Sequence, residues 1–387
     1  ENDVLISRHS STKIQNKLLY YTSTVAKSER TLLQFMMVLL SKSIASAGKP
    51  MGFIRRLSPA FVFVQHEKSA SRGIIGACSY STTPKKTASV EASGFDTIGI
   101  VGLGLMGHGI CQVSATSGVH SKVVAFEQEQ RFLDSGRDRI LASVDKLVKK
   151  EKMTPEFADE ALGKIEFTTD INALKDTDFL IEAVVENIDL KEDLYTTLGG
   201  LCKQETIFAS NTSSLSIAEM AAFSKRPERF LGVHFFNPVQ LMKVVEVIRT
   251  KETNPAVLER GVKWVEEIGK VSVLCDDTPG FIVNRILVPS LMQAMALVDR
   301  KEASVKDVDV AMKLGCGHPM GPMHLADYIG LDTCYSIVKG WTENYPNEPA
   351  FFIPVCLQEK INAGELGRKT GKGFYHWDGD RRGDPVE

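Results

Sequence analysis

The sequence predicts an α/β protein in which a doubly wound, mostly parallel sheet is followed by an all-helical C-terminal region. Three observations point there. Short apolar runs alternate with segments of helical spacing from residue 95 onward, a glycine-rich turn joins the first run to the first helix, and strand-type runs stop after "CDDTPGF" (Cys275 to Phe281).

The elements follow in order. From Asp96 the run "TIGIVG" leads through a glycine turn into a helix-like segment at Met106, and "KVVAF" (Lys122 to Phe126) forms the next strand. A long amphipathic segment spans Arg131 to Met153. Thr154-Pro155-Glu156 then supplies an N-cap residue, a proline for the first helical turn and an acid. Further apolar runs lie at Ile165 to Thr169, Phe179 to Val185, Thr206 to Ser210 and Phe230 to His234. Ser216 and Glu219 form a capping box after the third of these. Beyond Asp277, helical spacing starts at Phe281, Ser304, Leu331 and Phe351. The chain therefore divides into a basic leader at 1–94, a sheet domain at 95–276 and a helical domain at 277–387.

Composition narrows the functional classes. With 387 residues, 43% of them hydrophobic, the chain has material for two ordinary domain cores. A formal charge of −2, and no basic run interleaved with aromatics after the leader, argue against nucleic acid. The 7 cysteines are dispersed with no CxxC pair and no metal-like Cys/His spacing, so they read as reduced thiols in a non-oxidising compartment, with no metal site.

The leader differs in kind. It holds 13 Lys and Arg against 5 Asp and Glu and is rich in Ser and Thr, the composition of a mitochondrial transit peptide, with a merely disordered basic tail as the plain alternative. Met36 reads as a start, and Arg72 to Lys86 as the region of cleavage. The longest apolar run, Leu32 to Leu40, is far below the roughly 20 residues that cross a bilayer, so no integral membrane segment is expected.

The glycine turn "VGLGLMGHG" places Gly102, Gly104 and Gly107 in G-x-G-x-x-G spacing. The first glycine permits a tight turn, the second lets backbone approach a pyrophosphate, and the third lets helix and strand pack closely. Free N–H groups at the start of the following helix suit the phosphates. Glu127, at the end of the next strand, stands where a carboxylate accepts from the adenosine ribose hydroxyls and repels a 2′-phosphate. The expectation is a Rossmann-type domain that binds NAD in preference to NADP.

"GVHFFNPVQLMKVVEV" (Gly232 to Val247) is mostly apolar yet keeps His234 and Glu246. Oxidation of a secondary alcohol needs a base for the hydroxyl proton, and histidine titrates nearest neutrality. A carboxylate at the far ring nitrogen would fix the tautomer and stabilise the imidazolium. Spacing alone leaves two readings: such a pair, brought together by a turn at Asn237-Pro238, or a histidine merely satisfied at a strand end.

"SNTSSLSI", the His234 stretch, "DTPGFIVNRILVP", "GHPMGPMHLADYIGLD" and "GRKTGKGFYHW", in that order, resemble the short-chain L-3-hydroxyacyl-CoA dehydrogenase family over roughly residues 95 to 377. The resemblance implies that His234 is the base and Glu246 its orienting carboxylate. It further implies that Ser213, Asn237 and Asn284 border the substrate, that Glu186 and Lys191 border the nicotinamide end of the cofactor, and that Ser143 and Lys150 touch coenzyme A. Those last two are seven apart on the long segment, hence on one helical face, where a solvated face is the plain alternative and Lys146 and Lys149 are neighbouring candidates.

The implied activity is NAD-dependent oxidation of (S)-3-hydroxyacyl-CoA to the 3-oxo thioester in fatty-acid β-oxidation, by a homodimer in the mitochondrial matrix. Glu127 stands where family members commonly carry Asp, and His108 and His318 are unusual fillers without an assigned role. "VGLGLMG" also resembles the β-hydroxyacid dehydrogenases, whose lysine base follows a glycine-rich turn with no counterpart here. A non-catalytic relative is the third reading, against which His234, Glu246 and Asn284 stand.

Overall fold

The computed structural model describes residues 92–386. Met36, the expected cleavage region and all of the leader before Ala92 lie outside the described residues.

The backbone rises from β1 (Thr97–Val101) through the glycine turn into α1 (Gly107–Thr116), returns as β2 (Lys122–Phe126), and continues through α2 (Gln130–Lys149) and α3 (Pro155–Gly163) to β3 (Ile165–Thr168). Thr154 caps α3, its Oγ1 accepting the Phe157 N–H, with Pro155 at the first helical position. Then come β4 (Phe179–Glu182), α4 (Ile188–Leu201), β5 (Ile207–Ser210), α5 (Ile217–Phe223), β6 (Phe230–Phe235), β7 (Val244–Arg249), α6 (Pro255–Glu267) and β8 (Val271–Asp276).

These strands form one 8-stranded sheet in the order β3-β2-β1-β4-β5-β6-β7-β8. All neighbours are parallel except β6 and β7, which are antiparallel. The apolar runs read as nearly continuous because both faces are covered, as in most parallel sheets. Ile98, Ile100, Phe179, Ile181 and Ile207 turn toward α1, α2 and α6, while Leu180, Phe208 and Phe230 turn toward α4 and α5. The alternation is the two-residue period of a strand written twice, once for each face.

A second, helical region follows: α7 (Val283–Asp299), α8 (Val305–Gly315), α9 (Pro322–Ile329), α10 (Leu331–Asn344) and α11 (Val355–Asn362). Its own core joins Leu291, Met292 and Met295 of α7 to Met323, Val338 and Leu357. It closes on a two-stranded antiparallel hairpin, β9 (Tyr375–Asp378) and β10 (Arg381–Pro385), and includes α9, neither of which the residue spacing announced. The hairpin is held by carboxylates distant in sequence. Asp327 accepts the N–H groups of Phe374 and Tyr375 and the Trp377 indole, each at 2.9 Å. Asp309 accepts the Tyr375 hydroxyl at 2.8 Å. A strand stabilised by such partners carries little local signature.

Ser93 is buried, and its N–H and hydroxyl both donate to Glu267 at the end of α6. Near it His120, 2% exposed, ties three segments together. Its Nδ1 lies 2.9 Å from the Phe95 carbonyl oxygen, and its Nε2 accepts the Trp264 indole N–H at 3.2 Å. Those partners select the neutral ring protonated on Nδ1. Burial, the largest influence, lowers the imidazole pKa from its ordinary 6.5, against the bond to Phe95, which raises it. The unfolded chain then takes up a proton at higher pH than the folded chain does. Stability should hold above pH 6.5 and fall as the pH drops below it. Melting temperatures of the wild type and His120→Gln across that window are expected to show a shallower slope in the variant.

Candidate active site

The glycine turn sits at the C-terminal end of β1, beside the end of β2, to which Gly102 N–H donates through the Phe126 carbonyl at 2.9 Å. Gly102 has φ +89°, a conformation natural to glycine. A Cβ built on Gly107 would stand 1.8 Å from the Gly102 carbonyl oxygen, so the helix can start this close only without a side chain. A Cβ on Gly104 would meet no protein atom within 4 Å, so backbone there is open to an approaching group. Glu127 is half buried beneath the turn, accepting from Leu103 N–H and Gln128 N–H, each at 3.0 Å. Open backbone at the second glycine, closure at the third and a carboxylate at the next strand end fit a dinucleotide. His108 has its Nδ1 2.8 Å from the Gly104 carbonyl and so braces the turn.

His234 and Glu246 face each other across the antiparallel pairing of β6 with β7, as register partners. His234 Nδ1 lies 2.6 Å from Glu246 Oε2. An ionised carboxylate only accepts, so the neutral ring carries its proton on Nδ1 and leaves Nε2 as a lone-pair base. Glu246 is fully enclosed, and its other oxygen accepts Ile282 N–H at 3.0 Å and Val283 N–H at 2.8 Å, at the start of α7. Burial pushes its carboxyl upward, but the bond from His234 and the two amides outweigh that and hold it below the usual carboxylate range. Phe236 and Phe281 flank the imidazole, with ring centroids at 4.6 and 5.6 Å.

A second polar network lies at the ends of β4 and β5. Lys191 of α4, with no exposed surface, donates to Glu186 Oε2 at 2.9 Å and lies 3.2 Å from Glu182 Oε2. Glu186 accepts Ser213 N–H at 2.8 Å, Ser213 Oγ at 3.3 Å and Thr212 Oγ1 at 2.9 Å. Glu182 accepts Ser210 Oγ at 2.6 Å, the Tyr195 hydroxyl at 3.1 Å and Val184 N–H at 2.8 Å. Burial first, and the adjoining Glu182 carboxylate second, push the Tyr195 hydroxyl well above its ordinary pKa, keeping it a neutral donor.

Three residues from the sequence reading, Ser213, Glu186 and Lys191, are thus brought into one cluster. Glu182, Tyr195, Ser210 and Thr212 were missed. Glu182 was detectable by the criterion that singled out Glu246, a carboxylate inside an apolar strand. Asn211, within "SNTSS", was missed as well: its Oδ1 accepts Phe235 N–H at 2.9 Å, next to His234. Asn237 is exposed in the turn after β6, joined to Pro238 by a cis peptide bond. Asn284 is half buried and follows Val283, whose amide Glu246 holds. Ser143 is half buried in α2 and Lys150 exposed at its end; no hydrogen bond among the described residues joins either to the groups around His234. Lys149 pairs with Asp145 at 2.6 Å. No group of three or more His, Cys, Asp or Glu suited to a metal ion occurs among the described residues.

Strand order 3-2-1-4-5-6, with a glycine turn at the reversal point, defines a Rossmann-type dinucleotide-binding protein carrying a helical second region. The family described as "3-hydroxyacyl-CoA dehydrogenase, NAD binding domain" matches residues 97–278, and "3-hydroxyacyl-CoA dehydrogenase, C-terminal domain" matches residues 280–377. The chain is 42% identical over 314 residues to the mitochondrial hydroxyacyl-coenzyme A dehydrogenase of Sus scrofa, covering 80% of this chain and 99% of that one. It is 44% identical over 279 residues to a probable 3-hydroxybutyryl-CoA dehydrogenase of Deinococcus radiodurans, covering 72% and 99%. The crystal structure of (S)-3-hydroxybutyryl-CoA dehydrogenase from Ralstonia eutropha superimposes with a TM-score of 0.71 at 39% identity, covering 73% of this chain and 99% of that chain. The chain belongs to the 3-hydroxyacyl-CoA dehydrogenase family of oxidoreductases.

Two glycine substitutions separate folding from binding at the turn. Gly107→Ala should lower the melting temperature, because its Cβ meets backbone. Gly104→Ala should leave the melting temperature unchanged and weaken NADH binding, read by quenching of protein fluorescence.

Proposed function

We propose that the protein oxidises the 3-hydroxyl of (S)-3-hydroxyacyl-CoA to the 3-oxo thioester, with NAD as acceptor, in fatty-acid β-oxidation. The observation that carries this reading is the 2.6 Å contact of His234 Nδ1 with Glu246, which leaves Nε2 free to take the hydroxyl proton. As the proton arrives, the imidazolium is stabilised by a carboxylate that is already in place and needs no solvent reorganisation. Bound NAD supplies the hydride acceptor. Gly102, Gly104, Gly107 and Glu127 are assigned to its pyrophosphate and adenosine half, and the charge of Glu127 favours NAD over NADP. Glu186 and Lys191 are assigned to its nicotinamide half.

Ser213, Asn237 and Asn284 are assigned to the substrate around the carbinol, and Ser143 and Lys150 to the coenzyme A moiety. Asn284 would reach the substrate from the helical region, so that both regions orient one reaction. The three assigned domains, the homodimer and a matrix location after removal of a transit peptide complete the proposal. Relatives named as mitochondrial and the basic leader support the location.

The test is NADH oxidation with acetoacetyl-CoA and with free acetoacetate, for the wild type and His234→Gln. Turnover of the thioester alone, reduced by about 10²- to 10⁴-fold in the variant, is expected for loss of a general base. Turnover of the free acid, or activity indifferent to His234, would favour a β-hydroxyacid dehydrogenase. Bound cofactor without turnover of either would favour a non-catalytic relative.

A further inference from the structure

The cluster at the ends of β4 and β5 holds more negative charge than its own cation balances. Lys191 and Glu182 are both fully buried, and Glu186 is the accessible charged end of the cluster, its side chain 37% exposed. Glu182 is surrounded by donors alone: Ser210 Oγ, the Tyr195 hydroxyl, Val184 N–H and the Lys191 ammonium. That environment suits the acceptor-only carboxylate. Either glutamate would neutralise Lys191. Two of them leave a surplus negative charge, least screened at its enclosed Glu182 end.

The chemistry at one carbon fixes what lies beside this surplus. Alcohol oxidation removes a proton from oxygen and a hydride from the adjoining carbon, so the base and the hydride acceptor must meet at a single carbinol. His234 stands at the end of β6, the glycine turn at the end of β1 and Glu127 just past the end of β2. In the sheet order, β4 and β5 are the strands between β1 and β6. A dinucleotide with its adenosine at Glu127 and its pyrophosphate at the glycine turn therefore carries its nicotinamide across the ends of β4 and β5. Those ends hold Glu182 and the segment Ser210 to Ser213.

We infer that Glu182, Lys191 and Glu186 together bias the site toward the oxidised cofactor: their surplus charge favours the cationic nicotinamide of NAD⁺ over the neutral ring of NADH. The inference rests on the dinucleotide and His234 assignments above. Glu182 acts here as a positioning residue, since it is buried behind Lys191 and works through the field of the cluster. Hydride transfer removes the ring's positive charge, so the same field weakens the hold on the product form relative to the substrate form.

The experiment measures dissociation constants of NAD⁺ and NADH by calorimetry, at one pH and low salt, for the wild type, Glu182→Gln, Lys191→Met and Tyr195→Phe. Glu182→Gln should weaken NAD⁺ relative to NADH by about tenfold, the size expected of a nearby unit charge at intermediate dielectric. Lys191→Met, which enlarges the surplus, should move the same ratio in the opposite direction. Tyr195→Phe, a neutral change at the same carboxylate, should leave the ratio where it is. Either charge variant suffices if the other does not fold. A ratio that stays constant while both affinities fall overturns the inference and makes the cluster purely structural. Wild-type protein that binds neither nucleotide overturns instead the dinucleotide assignment beneath it.

Discussion

The arrangement depends on the carboxylate of Glu246. One oxygen holds the imidazole of His234 and the other receives the first amides of α7, so one enclosed side chain joins β6, β7 and the start of the helical region. The first amides of any helix lack partners within it. Here that deficit is met by the group that orients the histidine. Leaving such a buried donor or acceptor unpaired costs about 1 to 3 kcal/mol, so the three elements are fixed together. The antiparallel turn between β6 and β7 is what makes this possible, since it sets residues 234 and 246 opposite each other in the sheet.

The stretch after His234 is likewise tied to the helix that follows the glycine turn. Gly109, in the first helix after that turn, approaches Val239 so closely that a Cβ would lie 2.7 Å from the valine Cβ. Gln240 Nε2 donates to Gln112 Oε1 at 3.0 Å across the same contact. The loop leaving His234 therefore rests on the helix that begins the dinucleotide turn. On the other side, Asn211 at the end of β5 holds the amide of Phe235. Strand ends that are adjacent in the sheet are thus tied by side chains as well as by the ladder.

Much of the sheet was readable in advance because burial on both faces leaves a simple trace: short apolar runs, such as "TIGIV" and "KVVAF", bounded by helical periods. The caps Thr154 and Ser216 were readable for a local reason, since the bond each makes spans three residues. His234 and Glu246 stood out as titratable residues in an apolar stretch. The hairpin at 375–385 was not readable, because the bonds that Asp309 and Asp327 make to it span 66 and 47 residues of sequence. Glu182 was passed over within "FLIE" because its partners Tyr195, Ser210 and Lys191 come from a different helix and a different strand.

By itself the sequence determined the alternation of strand and helix, the glycine turn with its acidic partner, and the identity of the histidine and carboxylate in the stretch from 232 to 247. These are properties of neighbours along the chain, set by side-chain period, backbone freedom and local capping. Only the tertiary structure decided that Glu246 serves two masters, that Lys191 is enclosed between two carboxylates, and that the helical region ends in a hairpin. Each of these is a meeting of residues far apart in sequence, and such a meeting is chosen by the satisfaction of buried polar groups once the sheet has formed.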